Sequence, residues 1–336
     1  MTTVGTLPTT ALGGGDIRVG TQGLGCMGMS EFYGPSDPTE SRATLDRALE
    51  LGVTLFDTAD VYGSGHNEEF LSDFVRAERD RLVIATKFGI VRKADDPAYR
   101  GFDNSPAYIR NSVEGSLRRL GIDTIDLYYM HRKDPAVPIE DTVGAMAELV
   151  REGKVRALGL SEVTGAELRA AHAVHPIAAV QSEWSLFSRD VERTVVPAAA
   201  ELDVTFVPYS PLGRGFLTGS FTGTADTNDF RSSMPRFTGE NAARNAELLA
   251  PLRAIAEARG ITLAQVALAW AHAQAGVHDL AVVPIPGTRS RTRLTENVAA
   301  ATIALTLDEL AALEPIADQV SGTRYADMSF TSAGRE

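Results

Sequence analysis

Short apolar runs alternate with amphipathic stretches from about residue 52 to about residue 300, and no linker-like break interrupts them. Strands alternating with helices imply a parallel sheet covered by helices. About eight such units in one unbroken series fit a closed barrel better than two open sheets. The sequence therefore predicts the α/β class: a (β/α)8 TIM barrel over residues 1–336 as a single domain, with a long loop after strand 7 and an irregular C-terminal tail.

The elements follow in order. A first strand falls just before Gly25. Strand-like runs follow at 53–57, 82–87, 125–131, 155–161, 178–181, 205–209 and 281–285. Helical stretches lie between them at 39–51, 67–75, 105–120, 139–152, 165–175, 190–202 and 262–273. Asp37-Pro38-Thr39 reads as a helix start, and Leu120-Gly121 and Glu152-Gly153 as glycine stops. Residues 213–241 are rich in Gly, Ser, Thr, Asp and Asn and lack periodicity. A loop that long in a compact protein is a lid or binding loop more often than plain disorder. The stretch 318–336 is also irregular, yet it carries Tyr325, Met328 and Phe330, which predicts a docked tail whose last few residues fray.

Composition narrows the function. A formal net charge of -12 disfavours nonspecific binding to nucleic acid or to acidic membrane surfaces. The single Cys26 rules out an intrachain disulfide and suits a reducing compartment. Residues 1–10 lack the pattern of a signal peptide. No run of about 18 apolar residues is present. A cytoplasmic protein without a metal site is expected. Oligomeric state is left open.

Two motifs point toward a dinucleotide-binding open sheet and fail on context. Gly23-Leu24-Gly25-Cys26-Met27-Gly28 is a G-x-G-x-x-G, but Met29 to Pro35 continues as loop where a helix should begin. Tyr129 and Lys133 have Tyr-x-x-x-Lys spacing, which needs a helix to bring the two together. Here Tyr129 closes a strand-like run, and an extended chain would hold the two roughly 13 Å apart.

The polar residues that close the strands form a different set. Asp57, Lys87 and His131 each end an apolar run, and Tyr62 follows Asp57 closely. In a parallel barrel these ends share one face, where such barrels carry their chemistry. Taken singly, Asp57 caps a turn, Lys87 is solvated, His131 is structural and Tyr62 packs. Taken together they compose a proton-transfer network. A tyrosine, with a pKa of about 10, needs help to exchange protons near neutrality. An adjacent ammonium lowers that value, and Asp57 would hold Lys87 charged. His131 could orient a carbonyl oxygen on which negative charge develops.

With these residues in place the sequence resembles the aldo-keto reductase superfamily over nearly its whole length. The resemblance rests on several runs: Gly52 to Gly63 (GVTLFDTADVYG), Ala85-Thr86-Lys87, Tyr129-Met130-His131-Arg132 and Gly153 to Ser161 (GKVRALGLS). Tyr209 to Gly215 (YSPLGRG) and Ile285 to Arg289 (IPGTR) complete it. The phrasing is similar to the bacterial and plant branch of pyridoxal reductases, perakine reductase and auxin-induced-like proteins. The resemblance implies a barrel enzyme in which Asp57, Tyr62, Lys87 and His131 form the catalytic tetrad. It implies NADPH-dependent reduction of small aldehydes and ketones, with Tyr62 as general acid. A keto or enoyl reductase acting on nucleotide-linked deoxysugars, and a nucleotide-sensing partner subunit with little turnover, are the alternatives.

The tetrad supplies only a proton, so a hydride donor is required. Arg289, Arg291 and Arg293 gather at the start of an expected helix 288–300, which suits a phosphate, though a solvated charge run would look the same. The resemblance implies NADP(H), with Gly287, Thr288, Arg289 and Arg293 toward the phosphate and ribose and Glu296 and Asn297 toward the adenine. It places Ser161 and Gln181 at the carboxamide and Tyr209 against the nicotinamide. Ser210, Pro211, Leu212, Gly213 and Arg214 fall at the pyrophosphate, under the 213–241 loop, and Gly25, Cys26 and Met27 on the first loop. Glu162 departs from the pattern, standing where many relatives carry Asn. The substrate pocket is expected from the loops near Phe32 and Tyr33, the region around Trp184 and the C-terminal tail; Trp184 and Phe187 are candidates to line it, with core packing as the alternative.

Overall fold

The computed structural model describes residues 6–93, 95–221 and 229–336. The expected long loop therefore lies partly outside the described residues, at 222–228, as do residues 1–5 of the N-terminus. A hairpin, β1 (Thr9–Ala11) and β2 (Arg18–Gly20), comes first. Then follow β3 (Leu24–Gly25), α1 (Pro38–Glu50), β4 (Leu55–Asp57), α2 (His66–Ala77), β5 (Val83–Phe88) and a second hairpin, β6 (Ile90–Lys93) and β7 (Asp96–Phe102). The series continues with α3 (Pro106–Leu120), β8 (Ile125–Met130), α4 (Ile139–Arg151), β9 (Val155–Ser161), α5 (Gly165–Val174), β10 (Ile177–Glu183), α6 (Val195–Glu201) and β11 (Thr205–Tyr209). Helices α7 (Gly239–Glu247), α8 (Ala250–Arg259), α9 (Leu263–His278), α10 (Arg291–Ala299), α11 (Leu307–Leu313) and α12 (Ile316–Gln319) complete it. No helix among the described residues is long and apolar enough to cross a membrane.

Seven parallel strands lie in the order β11-β10-β9-β8-β5-β4-β3. The eighth stave is the correction to the expected strand at 281–285, which forms no regular strand. Pro284 and Pro286 have no N–H to donate, so a continuous ladder cannot form there. What remains are single bridges, Phe206 to Val282 on one side and Gly25 to Gly287 on the other. Val283 and Ile285 donate to Phe206 and Pro208 at 2.9 and 3.0 Å, and Gly23 donates to Pro284 at 2.9 Å. The barrel is nearly closed.

Strand alternation sorts the side chains. Leu55, Val83, Ala85, Leu127, Tyr129, Ala179 and Val207 fill the interior, joined by Leu12, Ile17 and Val19 of the first hairpin. Phe56, Ile84, Tyr128, Leu158, Val180 and Phe206 face outward under the helices. The interior is tight: a Cβ on Gly159 would stand 2.4 Å from the Tyr129 ring. Tyr129 is thus a packing residue within a strand, and the Tyr129–Lys133 pair is not on a helix. The same parity carries Asp57, Lys87, His131, Ser161, Gln181 and Tyr209 to the upper end of the interior.

The helices depart from expectation where local chemistry intervenes. The expected 190–202 helix is split into a 3-10 turn, Asp190–Arg193, and α6, with Thr194 at φ -137° between them. Pro197 explains the break, because its ring clashes with a carbonyl four residues earlier unless it lies in a first turn. Helix α10 starts at Arg291 rather than at 288, where the Ser290 side chain caps it by accepting from the Arg293 amide. Asp37 caps α1 by accepting from the Thr39 amide at 2.8 Å, with Pro38 opening the helix. The β6–β7 hairpin and α7, α8, α11 and α12 were not foreseen. Beyond α12 the tail has no regular element and lies back over the barrel's upper end.

Candidate active site

Asp57 ends β4 and Lys87 lies one residue before the end of β5, and their side chains form an ion pair inside the barrel. Lys87 is fully buried. Its Nζ also donates to the Thr58 carbonyl at 2.8 Å and to the Tyr62 hydroxyl at 3.4 Å. Tyr62 comes from the loop after β4, where Gly63, Ser64 and Gly65 have φ of 58°, 54° and 97° and turn the chain sharply into α2. His131 follows β8, and its ring meets that of Tyr62 edge-on with centroids 5.8 Å apart. The four predicted catalytic residues therefore stand together. Asp57 has a further partner, Gln181 of β10, whose Nε2 donates to Oδ2 at 2.8 Å.

Charge in this cluster follows from burial and neighbours. Burial disfavours the Lys87 ammonium, but the Asp57 carboxylate and Tyr62 outweigh it and raise the pKa above its ordinary value. Burial lifts the Tyr62 phenol, which Lys87 partly offsets and Asp57 reinforces, so the balance is upward. This reverses the expected net lowering: Lys87 acts in the anticipated direction but does not overcome the buried setting. His131 lies well below the usual imidazole range, through burial first and then the cations Arg132, Lys87 and Arg92. Its Nδ1 is buried without a hydrogen-bond partner among the described residues.

One cavity of about 1150 Å³ runs from Asp57, Tyr62 and His131 to the start of α10. Of the predicted cofactor residues, Gly25, Met27, Ser161, Gln181, Tyr209, Ser210, Pro211, Leu212, Arg214, Gly287, Thr288, Arg289, Arg293, Glu296 and Asn297 border it. Cys26 and Gly213 do not. Cys26 is sealed in the core, and its carbonyl accepts from Asn67 Nδ2 at 3.0 Å. Gly213 is buried at the turn after β11.

Several of the bordering side chains already have partners. Arg289 donates to the carbonyls of Tyr33, Gly34 and Gly28 at 2.7, 2.9 and 3.3 Å, bracing the first loop. Arg214 donates to Glu183 at 3.1 Å and to the Tyr325 hydroxyl at 2.6 Å, so its guanidinium is turned inward. Arg291 pairs with Glu40 outside the cavity. Arg293 is exposed, and its guanidinium has no partner among the described residues. The described part of the long loop reaches over the cavity. The Phe230 ring lies tilted against that of Phe32, with centroids 4.9 Å apart, and Arg231 donates to the Arg214 carbonyl at 3.1 Å.

The other end of the cavity holds residues that the sequence reading missed. Ile90, Arg92, Arg100 and Phe102 arrive on the β6–β7 hairpin, which carried no turn signal strong enough to place it. Arg132, next to His131, is buried and donates to Ser161 Oγ at 3.0 Å. Phe32, Tyr33 and the tail residues Tyr325 and Phe330, by contrast, border the cavity in segments where the sequence places the substrate pocket. Trp184 and Phe187 do not. Trp184 packs on Phe206 and Trp270, with centroids 4.7 and 6.4 Å away, and Phe187 packs on Phe216 at 5.3 Å. Among the described residues no cluster of three or more His, Cys, Asp or Glu could hold a metal ion.

Comparison with known proteins identifies the family and fold. A model of the aldo/keto reductase family matches residues 22–318. The glycerol dehydrogenase of Gluconobacter oxydans is 29% identical, with a TM-score of 0.80 over 95% of this chain and 98% of its own. An aldo-keto reductase of Bacillus halodurans, solved in its holo form, is 27% identical, with a TM-score of 0.75 over 98% and 100%. A thermostable aldo-keto reductase solved with the inhibitor epalrestat is 28% identical, with a TM-score of 0.71 over 92% and 100%.

Proposed function

The chain belongs to the aldo/keto reductase family of NADP-dependent oxidoreductases, and from that premise we propose that it reduces small aldehydes and ketones to alcohols with Tyr62 as proton donor. The observation that carries this reading is Lys87, bonded at one Nζ to both Asp57 and Tyr62 beside His131 at the end of the cavity. NADPH, when bound, supplies the hydride that reaches the carbonyl carbon.

The protein's own residues do the rest. The substrate oxygen lies between the Tyr62 hydroxyl and the His131 ring. A neutral imidazole has one N–H, and an Nδ1 without an acceptor leaves Nε2 as the better site for that proton, aimed at the oxygen. As negative charge builds on the oxygen, the Tyr62 O–H bond breaks and its proton completes the alcohol. The phenolate left behind is stabilised by the Lys87 ammonium, which Asp57 keeps charged, until solvent returns the proton. A phenol raised above its ordinary pKa keeps its proton at neutral pH, and the adjacent Lys87 ammonium is the group that eases the proton's release.

The fit to NADP(H) rests on the shape and chemistry of the cavity. Its volume of about 1150 Å³ exceeds the ordinary range for a drug-sized ligand, as a dinucleotide plus a substrate requires. The Arg293 guanidinium, without a partner among the described residues and in the first turn of α10, suits the 2′-phosphate together with Thr288. Glu296 and Asn297 would hold the adenine, Tyr209 would offer its ring to the nicotinamide, and the turn after β11 would take the pyrophosphate.

The test is NADPH consumption with nitrobenzaldehyde or pyridoxal. Tyr62→Phe should slow it by about 10²- to 10⁴-fold, the usual contribution of a positioned acid. Equal rates in the two proteins would remove Tyr62 from its role.

A further inference from the structure

Glu162 has no part in the reaction described above, yet it is fully buried directly after Ser161. Its backbone is left-handed, with φ at 52°, a strained conformation that persists only where surrounding contacts enforce it. Those contacts are dense. Oε1 accepts from the Tyr209 hydroxyl at 2.7 Å, Arg324 Nη1 at 2.8 Å and the Glu183 amide at 3.2 Å. Oε2 accepts from the Ser332 amide at 3.1 Å, the Ser332 hydroxyl at 3.3 Å and Arg324 Nη2 at 3.3 Å. The main-chain oxygen accepts from Arg335 Nη2 at 2.6 Å. Burial opposes the charge, but Arg324 and Arg132 keep the carboxyl far below its ordinary pKa.

Arg324, Ser332 and Arg335 all belong to the tail. A segment with no helix or strand of its own keeps one conformation only where side chains tie it down. Between the ties at 324 and 332 lie Tyr325 and Phe330, whose rings are 4.9 Å apart, and Phe330 faces Phe102 at 6.4 Å. These rings border the same cavity as Tyr62 and His131.

We propose that Glu162 is a positioning residue for substrate: by clamping Arg324 and Ser332 it fixes the Tyr325–Phe330 wall of the cavity and favours carbonyl compounds that bear a flat apolar group. Its substrate half rests on the carbonyl-reductase reading, whereas the clamp stands independently of it. The departure from Asn at this position then has a physical reason. An amide could not accept a bidentate guanidinium and two serine donors at once.

The test compares Arg324→Gln and Glu162→Gln with the parent protein. Hydrogen–deuterium exchange of peptides covering 321–336, without cofactor, should speed at least about tenfold in both variants, as loss of a charge-assisted pair implies. Peptides from β4 and β5 should exchange as before. With saturating NADPH, Arg324→Gln should raise KM for nitrobenzaldehyde about tenfold, change kcat much less, and leave KM for propanal within about twofold. Arg324→Lys should recover part of the tail's protection. Unchanged tail exchange in both variants overturns the clamp, and so does faster exchange across the whole barrel. If Glu162→Gln does not fold, Arg324→Gln decides alone. Equal loss for both aldehydes overturns the substrate preference. A parent protein that reduces neither aldehyde removes the reductase reading, and the exchange result still judges the clamp.

Discussion

Gln181 donates its side-chain amide to Asp57 at 2.8 Å across 124 positions of sequence. The amide nitrogen assigned by resemblance to the cofactor's carboxamide is thus engaged with the carboxylate that holds Lys87. Gln181→Leu leaves a buried acceptor without a donor, which costs about 1–3 kcal/mol. Urea unfolding at pH 7 should show that loss, and turnover should fall with it. A parent-like midpoint would mean the contact is idle.

Arg293 is the cation at the cavity's far end without a partner among the described residues. Arg293→Met should weaken NADPH binding by about 10- to 100-fold, the worth of one charged hydrogen bond to a phosphate, and leave NADH nearly unaffected. Fluorescence titration with the two coenzymes measures the difference. A parallel drop for both would take Arg293 away from the 2′-phosphate.

His131 makes the fold acid-sensitive. Folded, it protonates well below the ordinary 6.5, because burial and then Arg132, Lys87 and Arg92 disfavour its charge. Unfolded, it takes up a proton near 6.5, so its contribution is complete above that pH and drains away below it, by at most about 1.4 kcal/mol per unit. Between pH 7 and pH 5 the parent's urea midpoint should fall more steeply than that of His131→Asn. Matching slopes would contradict a neutral buried imidazole.

Asp60 acts with the opposite sign. Burial, and then the Glu68 carboxylate, push its carboxyl up to about 8, and one of its oxygens is sealed without a partner among the described residues. The folded protein keeps this proton where the unfolded chain has released it, so stability declines as pH rises from about 4 toward 8. Asp60→Asn cannot ionise. Its gain in Tm over the parent should grow across that window and level off above it; a constant gain would point to packing instead.

Asp126 sits at the floor of the barrel, away from the cavity. Its carboxylate is fully buried and accepts from Arg79 at 2.7 and 3.0 Å, Arg156 at 2.8 Å and the Ile84 amide at 2.9 Å. Both arginines are partly solvated, which tempers the loss. Asp126→Asn should cost about 2–3 kcal/mol by urea unfolding and leave kcat and KM unchanged. A change in KM would reveal long-range coupling to the rim.

Local chemistry made much of this readable from the chain. The strands at 155–161 and 205–209 match the structure at both ends, because each is a compact apolar run bounded by turn residues. Asp57, Lys87 and His131, at the ends of β4, β5 and β8, were legible since strand alternation fixes which side chains reach the interior, and Tyr62 followed from its closeness to Asp57 in the chain. Pro197 and the pair Pro284 and Pro286 were visible too, but their effect on α6 and the last stave depends on hydrogen bonds that only the assembled barrel defines. The tail was opaque for a different reason. Glu162 and Arg324 meet across 162 positions, and no periodicity in either segment announces the pair. The Tyr62 phenol shows the same limit, since its balance depends on how deeply the loop buries it.

The two prolines of the last stave leave its two junctions, to β11 and to β3, sewn by fewer stitches than the rest. Amides at these junctions, Val283 toward β11 and Gly23 on the β3 side, should lose their protons to solvent sooner than those of β8 and β9. A ligand lying from Gly25 to Gly287 would straddle the junction to β3, so that filling the groove would also draw the cylinder shut.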